Sequence, residues 1–154
     1  MRAPDYVDGH LHVHQLPVIR DALLAEMSKR YSTLPVKPWL RNTRLRNARS
    51  LPASLVLKAR VIQTLGAAGL VRLAANRGFA TNAGFLGVYG FVGGVLAYSQ
   101  HMQDWLGVAQ NGDVLMCHPE RGDQIANSQR LAEYKVLQSR YFDDWLSANS
   151  IHLR

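Results

Sequence analysis

The chain has 154 residues, of which 18 are Lys or Arg and 11 are Asp or Glu, so its formal net charge is +7 at neutral pH. Hydrophobic residues at 47% and charged residues at 19% are typical of one globular domain over residues 1–154 and exclude a disordered or fibrous chain. Cys117 is the only cysteine and the first residues contain no apolar signal core, so we expect no intramolecular disulfide and a reducing, cytoplasmic location.

The first predicted element is a strand over residues 6–12 that carries a cluster of histidines. Residues 8–14 have the sequence DGHLHVH, in which the histidines alternate with apolar residues. Alternation with a period of two predicts a strand with Asp8 and the imidazoles on one face. Pro17 favours the first turn of a helix, so the strand should lead into one. The histidines are His10, His12 and His14.

Strands and helices then alternate along the chain. The pattern predicts a helix over 18–30, a strand over 36–40, helices over 55–65 and 70–77, a short strand over 78–83, a glycine-rich loop over 84–94, a helix over 95–108, a strand over 113–117, helices over 128–137 and 140–148, and a short strand over 151–153. Such alternation is typical of an α/β protein with parallel strands and outer helices.

One stretch is apolar enough to consider as a membrane span. Residues 78–102 contain no Asp, Glu, Lys or Arg. Repeated glycines and several polar residues within this stretch favour strand and loop over a continuous helix. We therefore expect no transmembrane segment.

Three of the predicted strands end in polar side chains. The first ends in the histidine cluster, the second is followed by Arg41, and the strand over 113–117 is followed by His118. In parallel sheets and barrels the carboxyl ends of the strands meet at one pole, where ligands bind. These side chains should therefore lie around one cleft.

Spacing limits how the histidines could hold a metal. In an extended strand, His10 and His12 are about 7 Å apart and could share one ion, whereas His10 and His14 are about 13 Å apart and could not easily do so. A metal would take His10 with His12, or one of them with groups from elsewhere in the chain. The alternative is a surface turn whose histidines bind nothing.

His118 is the second candidate for chemistry. At the end of a buried strand, its imidazole could donate a proton to a leaving amine. The alternative is a capping histidine that bonds to the backbone. Adjacent strand residues point to opposite faces, so we expect Cys117 in the core and not as a nucleophile.

The basic residues are densest at Arg41, Arg44, Arg46 and Arg49. A patch of this kind could bind nucleic acid or anionic lipid. No interleaved aromatic residues and no nucleic-acid motif accompany it, so nucleic acid is not expected as a partner. A solvated face is favoured, followed by contact of Arg41 with substrate or phosphate.

Four short motifs are spread over nearly the whole chain: DGHLHVH at 8–14, NAGFLG at 82–87, MCHP at 116–119 and RLAEY at 130–134. In this order and spacing they resemble the YdjC-like carbohydrate deacetylases, which include chitooligosaccharide deacetylases and hopanoid-biosynthesis-associated deacetylases. The hopanoid-associated branch is the most similar. The resemblance implies a TIM-like (βα) barrel and a hydrolase that removes acetyl groups from N-acetylated sugars or glycolipid-type substrates.

The resemblance also implies roles for individual residues. His10 matches the family's metal-binding histidine and His118 its catalytic acid. His12 and His14 would line the substrate pocket, with Arg41 at its edge. The implied cofactor is a divalent ion, magnesium or zinc, that polarises the acetamide carbonyl and the attacking water. The implied partner is an N-acetylated carbohydrate.

The chain departs from the family pattern before the histidine cluster. Family members begin with a strand that ends in Asn-Ala-Asp-Asp-Phe-Gly, followed by a Gly-x-His stretch, whereas no histidine precedes His10 here. We therefore expect the C-terminal part of such a barrel, with an incomplete metal site and open sheet edges through which it could associate. The alternative is a non-catalytic remnant, or an interaction or structural half that requires a partner chain.

Overall fold

The computed structural model of the chain describes residues 3–121 and 128–153. The strands are β1 (Tyr6–Val7), β2 (Trp39–Leu40), β3 (Gly84–Leu86) and β4 (Asp113–Leu115). A 3₁₀ helix spans His10–Gln15, and the α-helices are α1 (Pro17–Tyr31), α2 (Ala53–Thr64), α3 (Ala67–Asn76), α4 (Gly94–Val108), α5 (Gln129–Leu137) and α6 (Arg140–Ala148). Helices and short strands alternate over much of the chain, so the predicted α/β class is confirmed.

The four strands form two parallel two-stranded sheets. β1 pairs with β2, and β3 pairs with β4. A parallel bridge joins Leu40 of β2 to Thr81, which precedes β3, and the Phe85 amide of β3 donates to the Arg44 carbonyl at 2.8 Å. Within each sheet, the carboxyl ends of the two strands therefore lie at the same edge.

The helices cover the strands through two hydrophobic clusters. One cluster joins α1 and α3 to β2, and the other joins α2, α4 and α5 to β3. The first contains Leu24, Met27, Leu40, Leu70, Ala74 and Phe79. The second includes Leu55, Phe85, Tyr98, Met102, Trp105 and Val136. Both clusters place apolar side chains between helices and strands, which fixes the strand ends in position.

The uncharged stretch over residues 78–102 is divided between β3, a glycine-rich loop and the first part of α4. Its large apolar residues, including Phe85, Tyr98 and Met102, are buried in the second cluster. Over residues 3–121 and 128–153, no single helix has the length and apolar character to cross a membrane. Among the described helices, only α2 and α3 taken together are long and apolar enough, and the angle between the two helices is 51°.

The predicted strand over residues 6–12 is wrong beyond Val7. The chain leaves β1 and forms the 3₁₀ helix, in which Leu11 and His12 have left-handed backbone angles, with φ of 50° and 63°. His14 turns back onto Gly9, where a Cβ atom would lie 2.7 Å from that of His14. The imidazoles of His12 and His14 reach their hydrogen-bond partners through this turn, which an alternating polar pattern does not reveal.

Other strand predictions also need correction. β3 begins at Gly84, inside the stretch predicted as loop, and residues 151–153 form no strand. Cys117 is exposed and not in the core. At Gly87 φ is +94°, and a side chain there would collide with the Met116 carbonyl, so this glycine marks close contact of two strand ends. The predicted helices agree with the structure to within a few residues at each end.

Removing a buried leucine should measure how strongly the first cluster holds the fold. Leu70 of α3 is 0% exposed, whereas Leu57 of α2 is 67% exposed. We expect Leu70→Ala to lower the free energy of unfolding by about 2–5 kcal/mol, since it leaves a cavity. Leu57→Ala, the matched control, should change it by less than about 0.5 kcal/mol. Urea unfolding followed by circular dichroism tests this, and equal losses in both variants would contradict the packing described.

Candidate functional site

Arg41 lies at the centre of a polar cluster that follows β2. Its side chain is only 5% exposed. Nη2 donates to the Asp8 carboxylate and, at 3.3 Å, to the Gly9 carbonyl, while Nη1 donates to His12 Nδ1 at 2.8 Å. The guanidinium lies over the Phe85 ring, 4.9 Å from its centroid. One buried cation thus binds the end of β1, the 3₁₀ helix and β3 together.

His14 is the structural histidine of the cluster. It is buried, and both of its ring nitrogens bond to backbone. The Gly9 amide donates to Nδ1 at 3.1 Å, so Nε2 carries the hydrogen that it donates to the Arg41 carbonyl at 2.6 Å. These bonds hold the 3₁₀ helix against β2. The predicted role of His14 in the substrate pocket stays a prediction.

His12 is held as a neutral hydrogen-bond donor. Arginine cannot accept a hydrogen bond, so His12 Nδ1 must be the acceptor and Nε2 must carry the hydrogen. Burial, and next the Arg41 guanidinium, lower the pKa of His12 to about 4, and Asp8 opposes this shift. Its ring also meets Phe85 edge to face, with centroids 5.8 Å apart. At neutral pH His12 presents one N–H group beside a fixed cation.

His10 differs from the other two histidines. Its side chain is exposed, and within residues 3–121 and 128–153 its ring makes no hydrogen bond. In the same part of the chain, no three His, Cys, Asp or Glu side chains come close enough together to hold a metal ion. Asp8 is bound to Arg41, and His14 has no nitrogen left. The described residues therefore do not by themselves fit a divalent ion.

His118 follows β4, the parallel partner of β3. It is half-buried, and its ring lies 5.3 Å from that of Phe91. Its Nδ1 atom is buried without a partner in the described part of the chain. β3 carries Phe85, whose ring contacts both His12 and the Arg41 guanidinium. His12 and Arg41 thus meet on Phe85, and the predicted convergence of His118 with them stays a prediction.

Glu133 fixes the backbone at His118. This carboxylate is 0% exposed and accepts hydrogen bonds from the Tyr89 hydroxyl, at 2.5 Å, and from the His118 amide. It joins α5 to the segments after β3 and β4. Glu133 was not among the site residues predicted from the sequence, although the RLAEY motif contains it. The available signal was the position of Glu133 beside Ala132 and one turn before Val136, on the apolar face of the predicted helix.

The basic residues after Arg41 point away from this cluster. Arg44, Arg46 and Arg49 are exposed, and Arg46 approaches the Asp113 carboxylate at 3.9 Å. This arrangement agrees with the solvated face that we favoured. Only Arg41 of the group is buried and takes part in the site.

A comparison with protein families identifies one match. The family model described as YdjC-like protein matches residues 1–148, nearly the whole chain. No curated protein and no solved structure gives a significant match.

Acidification should destabilise the fold between about pH 6.5 and pH 4. In the unfolded chain His12 takes up a proton near its ordinary pKa of 6.5, whereas the folded chain does so only near 4. Within this window the unfolded state binds more protons, so the free energy of unfolding falls as the pH falls. Urea midpoints at several pH values should show a smaller slope for His12→Gln than for the unmodified chain. Equal slopes would mean that His12 is not held neutral.

Loss of the buried carboxylate should destabilise the region around His118. Glu133→Ala leaves the Tyr89 hydroxyl and the His118 amide without an acceptor, so we expect a loss of about 1–3 kcal/mol in the free energy of unfolding. Glu133→Gln keeps an acceptor oxygen and should lose less. Glu26→Ala, at an exposed ion pair with Arg30, is the control and should change little. Denaturant titrations of the three variants test the order.

Proposed function

This chain belongs to the YdjC-like family, whose members are of the carbohydrate deacetylase kind, and on this premise we propose that it removes acetyl groups from N-acetylated sugars. The observation that carries the proposal is the pairing of β3 with β4, because β3 carries Phe85, on which His12 packs, and His118 follows β4. His12 offers an N–H donor, and His118 has a buried Nδ1 with no partner among the described residues. An acetamide group needs a hydrogen-bond donor at its oxygen and a proton donor at its nitrogen.

We propose the following roles for these residues. His12 Nε2 donates a hydrogen bond to the acetamide oxygen, and Arg41 holds the His12 ring in that orientation. Water adds to the carbonyl carbon and gives one proton to a base from outside the described cluster, because Asp8 is paired with Arg41. The bond from carbon to nitrogen then breaks. His118 gives a proton to the departing amine nitrogen, and acetate is released. A neutral His12 suits this role because its N–H is fixed by the hydrogen bond at Nδ1.

We also propose a divalent ion, magnesium or zinc, as the cofactor of this reaction. His10 is the residue that we assign to it, because its ring is exposed and free of hydrogen bonds to the described residues. One histidine is not a metal site, and a catalytic zinc site usually has three protein ligands. The other ligands would have to come from groups outside the described cluster. We therefore expect loose metal binding and weak activity.

The wider architecture is proposed on the same basis. Two pairs of parallel strands, with helices between successive strands, are compatible with part of a TIM-like barrel, and we assign the chain to the C-terminal part of one. β1 and β4 are the outer strands of this arrangement, and through them the chain could associate with another surface. We propose a cytoplasmic location, and the hopanoid-associated branch with glycolipid-type substrates as the finer assignment.

A second candidate function has its own support. In the histidine cluster the carboxylate of Asp8 is paired with Arg41, so it is not free to act as a base toward water. Together with the lack of a three-ligand group among the described residues, this favours a non-catalytic remnant, or an interaction half that needs a partner chain. The two candidates differ in whether the purified chain releases acetate.

The assay measures acetate released from N,N′-diacetylchitobiose by the purified chain, with and without added zinc or magnesium. We expect slow release that increases with metal and is lost in His10→Ala. Removing the proton donor in His118→Ala should lower the rate by about 100-fold or more. His152→Ala, which changes an exposed histidine near the C-terminus, is the matched control and should keep the rate.

Each outcome of this assay separates the candidates. Release that His118→Ala leaves unchanged would exclude His118 as the acid. Complete absence of release at every metal concentration would favour the non-catalytic candidate. Robust, metal-dependent release that His10→Ala abolishes would show that the metal site is more complete than we propose.

A further inference from the structure

Phe91 is a bulky residue in a conformation that bulky residues avoid. It lies in the loop between β3 and α4, its φ is +55°, and its side chain is 39% exposed. Left-handed angles at a bulky residue cost free energy and persist only where the surroundings impose them. The other described non-glycine residues with such angles are Leu11, His12, Ser50 and Ser150. Phe91 is therefore held in a strained position, and its ring contacts that of His118.

A rigid aromatic support holds the Phe91 ring. It stacks on the Tyr89 ring with centroids 4.7 Å apart and an interplanar angle of 17°. Tyr89 is itself fixed, because its hydroxyl donates to the buried Glu133 carboxylate and its ring packs against Tyr98 and Trp105. The support leaves part of the Phe91 ring open to solvent, in spite of its apolar surface.

The Glu133 carboxylate also sets the distance from Phe91 to His118. Glu133 accepts from the His118 amide as well as from Tyr89, so the two segments are held by one carboxylate. The rings of Phe91 and His118 lie 5.3 Å apart at 62°. A group that packs on Phe91 therefore binds beside the His118 ring.

We propose that Phe91 is the platform on which the pyranose ring of the substrate packs, with its acetamido group directed toward His118. The apolar C–H face of a sugar is attracted to the negative face of an aromatic ring, and aromatic side chains commonly line ligand sites. Phenylalanine has no polar group that would compete with the sugar hydroxyls for hydrogen bonds. This inference rests on the proposed function, since it assigns the sugar to the same site.

The neighbouring residue provides a matched control. Val92 belongs to the same loop and is 71% exposed, but its side chain has no aromatic ring. If any exposed apolar group of this loop could bind the sugar, Val92 would contribute as much as Phe91. If the aromatic ring is the platform, only changes at Phe91 should affect binding.

Glycine at position 91 separates binding from folding. Glycine adopts a φ near +55° without strain. The Phe91→Gly variant therefore removes the aromatic ring and also removes the backbone strain at this position. We expect the urea midpoint of this variant to stay close to that of the unmodified chain. A ring with only a structural role would instead give a large loss of stability when removed.

The experiment titrates N,N′-diacetylchitobiose into the full chain, with and without zinc, and follows binding by NMR. We expect Phe91→Gly to raise the dissociation constant by about tenfold or more, as for the loss of a stacking contact. Phe91→Trp should retain binding, Phe91→Leu should be intermediate, and Val92→Ala should match the unmodified chain. Unchanged binding in Phe91→Gly, equal losses in Val92→Ala, or no binding by the unmodified chain would each overturn the proposal.

The acetate assay on the same variants distinguishes this inference from the proposed function. Binding that depends on Phe91 without any acetate release would leave the platform standing and refute the deacetylase. Acetate release at the normal rate by Phe91→Gly would leave the deacetylase standing and refute the platform.

Discussion

The candidate site depends on one buried cation. Arg41 is surrounded by groups that accept hydrogen bonds or face its positive charge: the Asp8 carboxylate, the Gly9 carbonyl, the His12 ring and the Phe85 face. A buried charge is tolerated only when it is paired and fully hydrogen-bonded, and Arg41 meets most of that requirement with groups from three segments. The left-handed turn at Leu11 and His12 places these acceptors around it. The orientation of His12 is thus a consequence of satisfying this guanidinium.

A second buried charge, of opposite sign, organises the other half of the site. Glu133 has no basic partner among the described residues and is satisfied by the Tyr89 hydroxyl and the His118 amide. A carboxylate held by hydrogen bonds is rigid, because moving either donor leaves a buried charge unsatisfied. Arg41 therefore positions His12, and Glu133 positions His118 and the aromatic support of Phe91. The proposed chemistry uses His12 from the first group and His118 from the second.

The helices were predictable because their signals are local. Over residues 18–30, 95–108 and 140–148, apolar spacing within each segment was enough to indicate a helix, and each was confirmed. The same use of local spacing gave a wrong prediction at the histidine cluster, where it indicated a strand. Alternation of polar and apolar residues indicates a strand only if the chain stays extended, and here Gly9 and His14 close a turn. The parallel order of the strands followed from the alternation of elements, but the start of β3 in a glycine-rich stretch did not.

The sequence by itself determined the α/β class, most of the helices, the family resemblance and the residues around which a site could form. Only the tertiary structure decided how those residues meet. Arg41 lies 33 positions from Asp8, and Tyr89 lies 44 positions from Glu133, so neither bond appears in any local pattern. The neutral state of His12, the occupied nitrogens of His14 and the strained placement of Phe91 all follow from such distant contacts. The physical reason is that hydrogen-bond satisfaction of buried groups is a property of the packed chain, whereas periodicity is a property of neighbouring residues.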